Sequence, residues 1–168
     1  GAYIDHKGVL HLPGSMYHFT KRVSPLRNAN TLEEVKEFPY AKPPDFNVNT
    51  LKQEVRKAHN EQKVTECWIG HMYEDAWQIR GYQEFLMDMA TKPEICEYIL
   101  DRITEKNIKM AERAAKAGVD IIRTGDDVAN QNTLMFAPEQ WRKFIKARWA
   151  RVYERARTIK PDIQIWYH

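Results

Sequence analysis

Apolar positions along the chain follow two different spacings, and the switches between them predict its elements. Ile95, Ile99, Ile103, Met110 and Ala114 recur at helical spacing behind Pro93, and Gly118 offers a natural C-terminal stop. Trp141, Phe144, Ile145, Trp149, Val152, Ala156 and Ile159 recur at three and four behind Ala137-Pro138-Glu139, so one face of that helix must pack on a sheet. Short apolar runs between these helices predict strands over residues 64–69, 119–124 and 162–167. Two stretches, Thr31-Leu32-Glu33-Glu34 and Thr91-Lys92-Pro93-Glu94, have the form of a capping box and predict helix starts. A further helix is expected from about Thr50 to Gln62. Residues 1 to about 30, broken by Gly8, Pro13, Gly14 and Pro25, read as irregular with a hairpin between Ile4 and Leu12.

Helices alternating with short apolar strands imply a parallel α/β arrangement, and right-handed crossovers bring all three strand ends to one face. Three such strands do not close a barrel. The reading divides the chain into an irregular segment (1–30), a helical insertion (31–62) and a βαβαβ portion (63–168), all within one domain. The start at Gly1 and the stop in a strand at His168 lead us to expect an internal piece of a larger domain, inactive on its own.

Composition narrows the class. Of 168 residues 43% are hydrophobic, enough to bury a core, and the 26 basic and 23 acidic side chains are interleaved, which suits a solvated surface better than nucleic-acid binding. No apolar run reaches the ~18 residues of a membrane span and no secretory signal opens the chain, so a cytoplasmic protein is expected. Cys67 and Cys96 fall on different elements and are expected to be reduced.

Candidate chemistry gathers where strands end, the edge at which α/β folds keep their active sites. Asp126 and Asp127 follow the second strand; paired carboxylates there can hold a metal, move a proton or accept ring N–H groups, while the plain alternative is a turn aspartate capping a neighbouring segment. His168 ends the third strand, where a neutral imidazole can ligate zinc or act as a general acid, or serve structure alone. His71 and Glu74 form a rim pair after the first strand. Arg80 is read either as a clamp for a substrate carboxylate or as an ion-pair partner of Asp88, Glu84 or a rim aspartate. Trp68, Tyr73, Trp77 and Tyr82 either line a pocket for a flat ligand or pack helix on sheet. His6, His11 and His18 resemble a metal cluster only in outline.

At these residues the chain resembles the uroporphyrinogen decarboxylase superfamily, which includes corrinoid-linked methyltransferases. The resemblance runs in order through Asn30-Thr31-Leu32-Glu33-Glu34-Val35, Phe38-Pro39-Tyr40, Gly70, Glu74-Asp75-Ala76-Trp77 and Arg80-Gly81-Tyr82. It continues through Phe85-Leu86-Met87-Asp88-Met89, Lys92-Pro93-Glu94, Ala117-Gly118-Val119-Asp120, Gly125-Asp126-Asp127 and Ala137-Pro138-Glu139-Gln140-Trp141-Arg142-Lys143-Phe144. It implies a (β/α)8 (TIM) barrel of which this chain holds the middle three strands.

The family decarboxylase's catalytic aspartate and arginines would precede Gly1. Its pocket aromatic is matched by Trp68; its substrate-facing tyrosine falls at Gln78; its acidic residue and serine after the fourth strand fall at Asp126 and Asp127. The methyltransferase branch holds zinc through a histidine that falls at His168. The resemblance thus implies Asp126, Asp127 and His168 as catalytic, Trp68, His71, Glu74, Gln78 and Arg80 as substrate-binding, and His168 as a metal ligand if zinc is used. Methyl transfer between a corrinoid protein and a thiol is the first expectation, with zinc and a corrinoid partner. The alternatives are decarboxylation of a tetrapyrrole without cofactor, in porphyrin synthesis, and a barrel that binds a ligand without turnover. A small-molecule or tetrapyrrole substrate, no nucleic acid, no membrane and a homodimer at full length complete the expectation.

Overall fold

In the computed structural model, which describes residues 1–14, 20–45 and 47–168, the chain opens with an antiparallel meander. Its strands are β1 (Tyr3–Ile4), β2 (Leu10–Pro13) and β3 (Thr20–Val23), with Ile4 opposite Leu10 and Leu10 opposite Val23. The expected hairpin is therefore present. The third strand was not anticipated, because Thr20-Lys21-Arg22-Val23 has one apolar residue and no alternation to mark it. His18 lies outside the described residues.

Helix α1 (Leu32–Glu37) begins at the predicted capping box: the Thr31 hydroxyl accepts the Glu34 N–H at 3.2 Å, and the Glu34 carboxylate accepts the Thr31 N–H at 3.1 Å. Helix α2 (Val48–Asn60) starts slightly before Thr50, because the Asn47 side chain caps it through the Asn49 N–H at 2.8 Å. Then follow β4 (Glu66–His71), α3 (Tyr73–Arg80), α4 (Tyr82–Thr91), α5 (Pro93–Ala117) and β5 (Ile121–Gly125). The chain ends with α6 (Pro138–Trp141), a π-helical turn (Arg142–Lys146), α7 (Ala147–Ile159) and β6 (Gln164–Tyr167).

Thr91 does not cap α5. It still belongs to α4, where its hydroxyl donates to the Met87 carbonyl at 2.9 Å, and Lys92 takes the cap position without a side-chain bond. The stop of α5 is as expected, with Gly118 in the left-handed region at φ +90°.

Strands β4, β5 and β6 form a parallel sheet in that order, Cys67 opposite Ile122 and Ile122 opposite Ile165. One face carries Ile69, Ile122 and Thr124, all buried, and packs on α5 and α7 through Ile99, Leu100, Ala111, Ala114, Val152 and Ala156. Each fully buried Ile or Leu there stabilises the fold by about 1.5–3 kcal/mol relative to an exposed one. Thr124 Oγ1 ties β5 to α7 through Tyr153 Oη at 2.7 Å. The other face carries Glu66, Trp68, Arg123, Gln164 and Trp166, which no helix covers among the described residues. Parallel strands with helices on one side only are the layout of part of a (β/α)8 barrel, not closed here. Among the described residues no helix is long and apolar enough to cross a membrane.

Candidate functional site

All three strands of the parallel sheet end on one rim, where β4 leads into α3, β5 into Asp126 and Asp127, and β6 into His168. A bulge in β4 between Trp68 and Gly70 re-aims the strand just before the rim. Gly70 permits it: its φ is +132°, and a Cβ there would approach Asn107 Oδ1 to 3.3 Å. Asn107, buried in α5, donates to the His71 carbonyl at 3.2 Å and so fixes the end of the strand from behind.

The two neighbouring aspartates have different surroundings. Asp126 is buried, and its Oδ1 accepts the backbone N–H groups of Met72, Tyr73 and Glu74 at 2.9, 2.7 and 3.2 Å. Its Oδ2 accepts the Trp149 indole N–H at 2.9 Å. It thus caps α3 across the sheet, meeting donors that helix would otherwise leave unpaired. Burial pushes its carboxyl up to about 6, against the opposing pull of the indole, the backbone donors and His71. Asp127 stays exposed, with its Oδ1 3.6 Å from Nδ1 of the equally exposed His168, while its own N–H donates to Glu74 Oε1 at 3.2 Å.

His71 is locked in one orientation. Its Nδ1 lies 2.7 Å from the Gly125 carbonyl, which can only accept, so Nδ1 carries the proton; Glu74 Oε1 shares that proton at 3.1 Å. Nε2 is then the ring nitrogen left open at the rim, and the Trp68 ring stands edge-on to the imidazole at 4.8 Å. His71, Glu74 and Asp126 offer ligand atoms within 4.8 Å of one another, the outline of a metal site. Of the three, only Asp126 has both oxygens engaged, by the N–H groups of α3 and the Trp149 indole, whereas His71 keeps Nε2 open, so the trio is a positioning network with one ring nitrogen left at the rim.

His168 is different. Its backbone is tied in, the N–H donating to the Thr124 carbonyl at 2.9 Å and the carbonyl accepting the Asp126 N–H at 3.4 Å, but its imidazole is 73% exposed. Gly125 makes this approach possible, since a Cβ there would lie 3.0 Å from His168 Cβ.

The structure therefore brings Asp126, Asp127, His168, His71 and Glu74 together, with Trp68 just below them on the uncovered face. It does not bring Arg80 to the rim. That guanidinium, at the far end of α3, is buried and bonded to Asp88 Oδ2 at 2.7 Å and to the Leu26 carbonyl at 2.5 Å, the ion-pair alternative. Gln78 is also buried and accepts from Lys7 Nζ at 2.5 Å. Lys7 and Lys106 both grip Asp75, at 3.0 and 2.9 Å, beside a cleft of about 270 Å³ between the meander and β4. Cys67 is half-buried and Cys96 buried in α5, and burial pushes both thiols up, away from the thiolate form.

Residues that sequence reasoning did not single out include Asn107, the indole N–H of Trp149, and Arg123 with Trp166. A signal for the last two existed: both occupy alternate, outward positions in otherwise apolar strands.

Comparison with known proteins agrees with this architecture. The model of the family described as uroporphyrinogen decarboxylase (URO-D) matches residues 71–168, more than half of the chain. No curated protein matches. Among solved structures, a methyltransferase from Methanosarcina mazei superposes with a TM-score of 0.60 at 18% sequence identity, over 90% of this chain and 44% of that one. The chain therefore spans less than half the length of that protein.

Proposed function

The chain belongs to the uroporphyrinogen decarboxylase (URO-D) family, and from that premise we propose that it carries part of the active site of a methyl-transferring enzyme, with a thiol as acceptor and a corrinoid as donor. The observation that carries this reading is the exposed imidazole of His168 at the end of β6, beside Asp127 and on the same rim as His71. The fold neighbour being a methyltransferase supports it. So does the state of Gln78, which is buried on Lys7 where the family's decarboxylase presents a tyrosine to its substrate.

His168 fits one position in a zinc site: it is exposed, and Asp127 is placed to orient it through Nδ1. Cys67 and Cys96 are held elsewhere in the fold and would not join it. Zinc, when bound, would favour the thiolate form of a substrate thiol. The chain's own residues do the rest. Asp126 fixes the start of α3, Glu74 and the Gly125 carbonyl hold the His71 proton on Nδ1, and His71 Nε2 is left to accept a proton at the rim. Tetrapyrrole decarboxylation is the second reading and rests on the family description.

The test is a product assay on the intact protein, offered methylcobalamin with a small thiol in one reaction and uroporphyrinogen in another. Methylated thiol is expected, with at least a hundredfold loss in His168→Ala. Loss of carboxyl groups from uroporphyrinogen without thiol methylation would replace this reading with the second.

A further inference from the structure

Two tyrosine hydroxyls end on one sulfur. Tyr73, at the start of α3, and Tyr82, at the start of α4, donate to Met135 Sδ at 3.7 and 3.5 Å. A thioether is a weak acceptor, and this one serves two donors. The contact holds the loop between β5 and α6, which leaves the rim at Asp127. Residues 128–135 of that loop form a small hairpin of their own. The Met135 N–H donates to the Val128 carbonyl at 2.9 Å, Ala129 bridges to Leu134, and the Asn130 side chain accepts the N–H groups of Asn132 and Thr133 at 2.9 Å each. The hairpin is thus a unit tied to both helices through Met135, and Asp127, 3.6 Å from His168, sits at its base.

The two sides of this latch differ in how far they can give. Tyr73 is fully buried, with its ring edge-on to Phe136 at 5.0 Å and its N–H held by Asp126 at 2.7 Å. The hairpin has an exposed tip at Leu134 and lies beside a hollow of about 180 Å³ that reaches Pro138 and Trp141. An oxygen added to Sδ stands between the sulfur and a hydroxyl, and leaves less than the ~2.5–3.0 Å of an O–H···O bond. On the Tyr73 side the hairpin must retreat, because it has room to move and Tyr73 has none. On the Tyr82 side the half-exposed phenol is pushed off, so either epimer of the sulfoxide takes a donor from the latch.

We propose that Met135 is an oxidation-sensitive latch: conversion to the sulfoxide by a peroxide loosens the hairpin, and with it the hold on Asp127 beside His168. The step moves one oxygen atom from hydrogen peroxide to Sδ; the sulfur gives up two electrons, the O–O bond breaks, and water leaves. Methionine sulfoxide reductases reverse it. The device holds whichever reaction the rim performs, and its readout is motion, not turnover.

The experiment treats the intact protein with hydrogen peroxide, follows each methionine by peptide mass, and measures hydrogen exchange in the peptide covering residues 127–137. Met87, 65% exposed on α4, reports that oxidation has taken place. Exchange in the loop is expected to rise at least fivefold once Met135 carries oxygen, and to return after treatment with reductases for both epimers. In Met135→Leu, which keeps the bulk and has no sulfur, peroxide is expected to leave loop exchange unchanged. Tyr82→Phe removes one donor and is expected to speed exchange by about twofold without any oxidant, the scale of one weak hydrogen bond. Full conversion of Met135 with unchanged exchange, or the same rise in peroxide-treated Met135→Leu, overturns the latch. Met135 left intact after Met87 is fully converted overturns its sensitivity.

Discussion

The two faces of the parallel sheet are made from alternate residues of the same strands, yet they are built for different ends. Ile122 points into helices α5 and α7 and is fully buried; its neighbour Arg123 points the other way, into a row of half-exposed indoles. The packed face holds the fold together by excluding water. The open face carries two half-exposed tryptophans around a charge, and in a barrel it is the face turned to the interior. Asp126 belongs with the packed side despite its charge, because each of its oxygens is committed to N–H groups of the fold.

This contrast can be broken by experiment. Asp126→Ala strands the Trp149 N–H and the first turn of α3, and is expected to cost about 4 kcal/mol, read as a drop of roughly 10 °C or more in Tm. Ile122→Ala should follow at about 3 kcal/mol from lost burial and the cavity left behind. Arg123→Ala, one residue on, should cost less than about 1 kcal/mol by the same melt. If Arg123→Ala proves as costly as Ile122→Ala, the open face is structural and the comparison fails.

A small effect is also expected from pH. Asp120, at the amino end of β5, accepts the Thr65 N–H and hydroxyl at 2.8 Å each and lies 2.9 Å from His59 Nε2. Partial burial opposes its charge, but these bonds outweigh that and hold its carboxyl down at about 2. A depressed carboxylate stabilises the fold above its ordinary range and loses that contribution as pH falls through about 4 to 2. With a third of the side chain in water, the loss should be about 1 kcal/mol. In Asp120→Asn this part of the acid limb should disappear from the pH dependence of Tm.

Much of the packed side was legible in the sequence. The three- and four-residue spacing of Trp141 to Ile159 and the stop at Gly118 reflect local physics; the stop forms as expected, while the single helix expected over 138–160 is broken by the π-helical turn at Arg142–Lys146, which the spacing did not show. The edges were less so: Asn47, and not Thr50, caps α2, and Thr91 stays within the preceding helix, because competing caps a few residues apart are decided by tertiary packing. The candidate site was legible by position only. That Asp126, Asp127 and His168 would share a rim follows from strand order, whereas their different surroundings do not. Asp126 meets α3 and Trp149 over gaps of more than twenty residues, and Arg80 finds Asp88 instead of the rim, both choices made by packing between elements.

The central proposal, that the rim belongs to a metal-assisted site with His168 as a ligand, is tested most directly by metal analysis of the purified intact protein and its His168→Ala variant. The account predicts one zinc per chain in the wild type and its loss in a variant that melts at the same temperature. Full zinc content in His168→Ala, or a wild type that turns over substrate after complete removal of zinc, would contradict it.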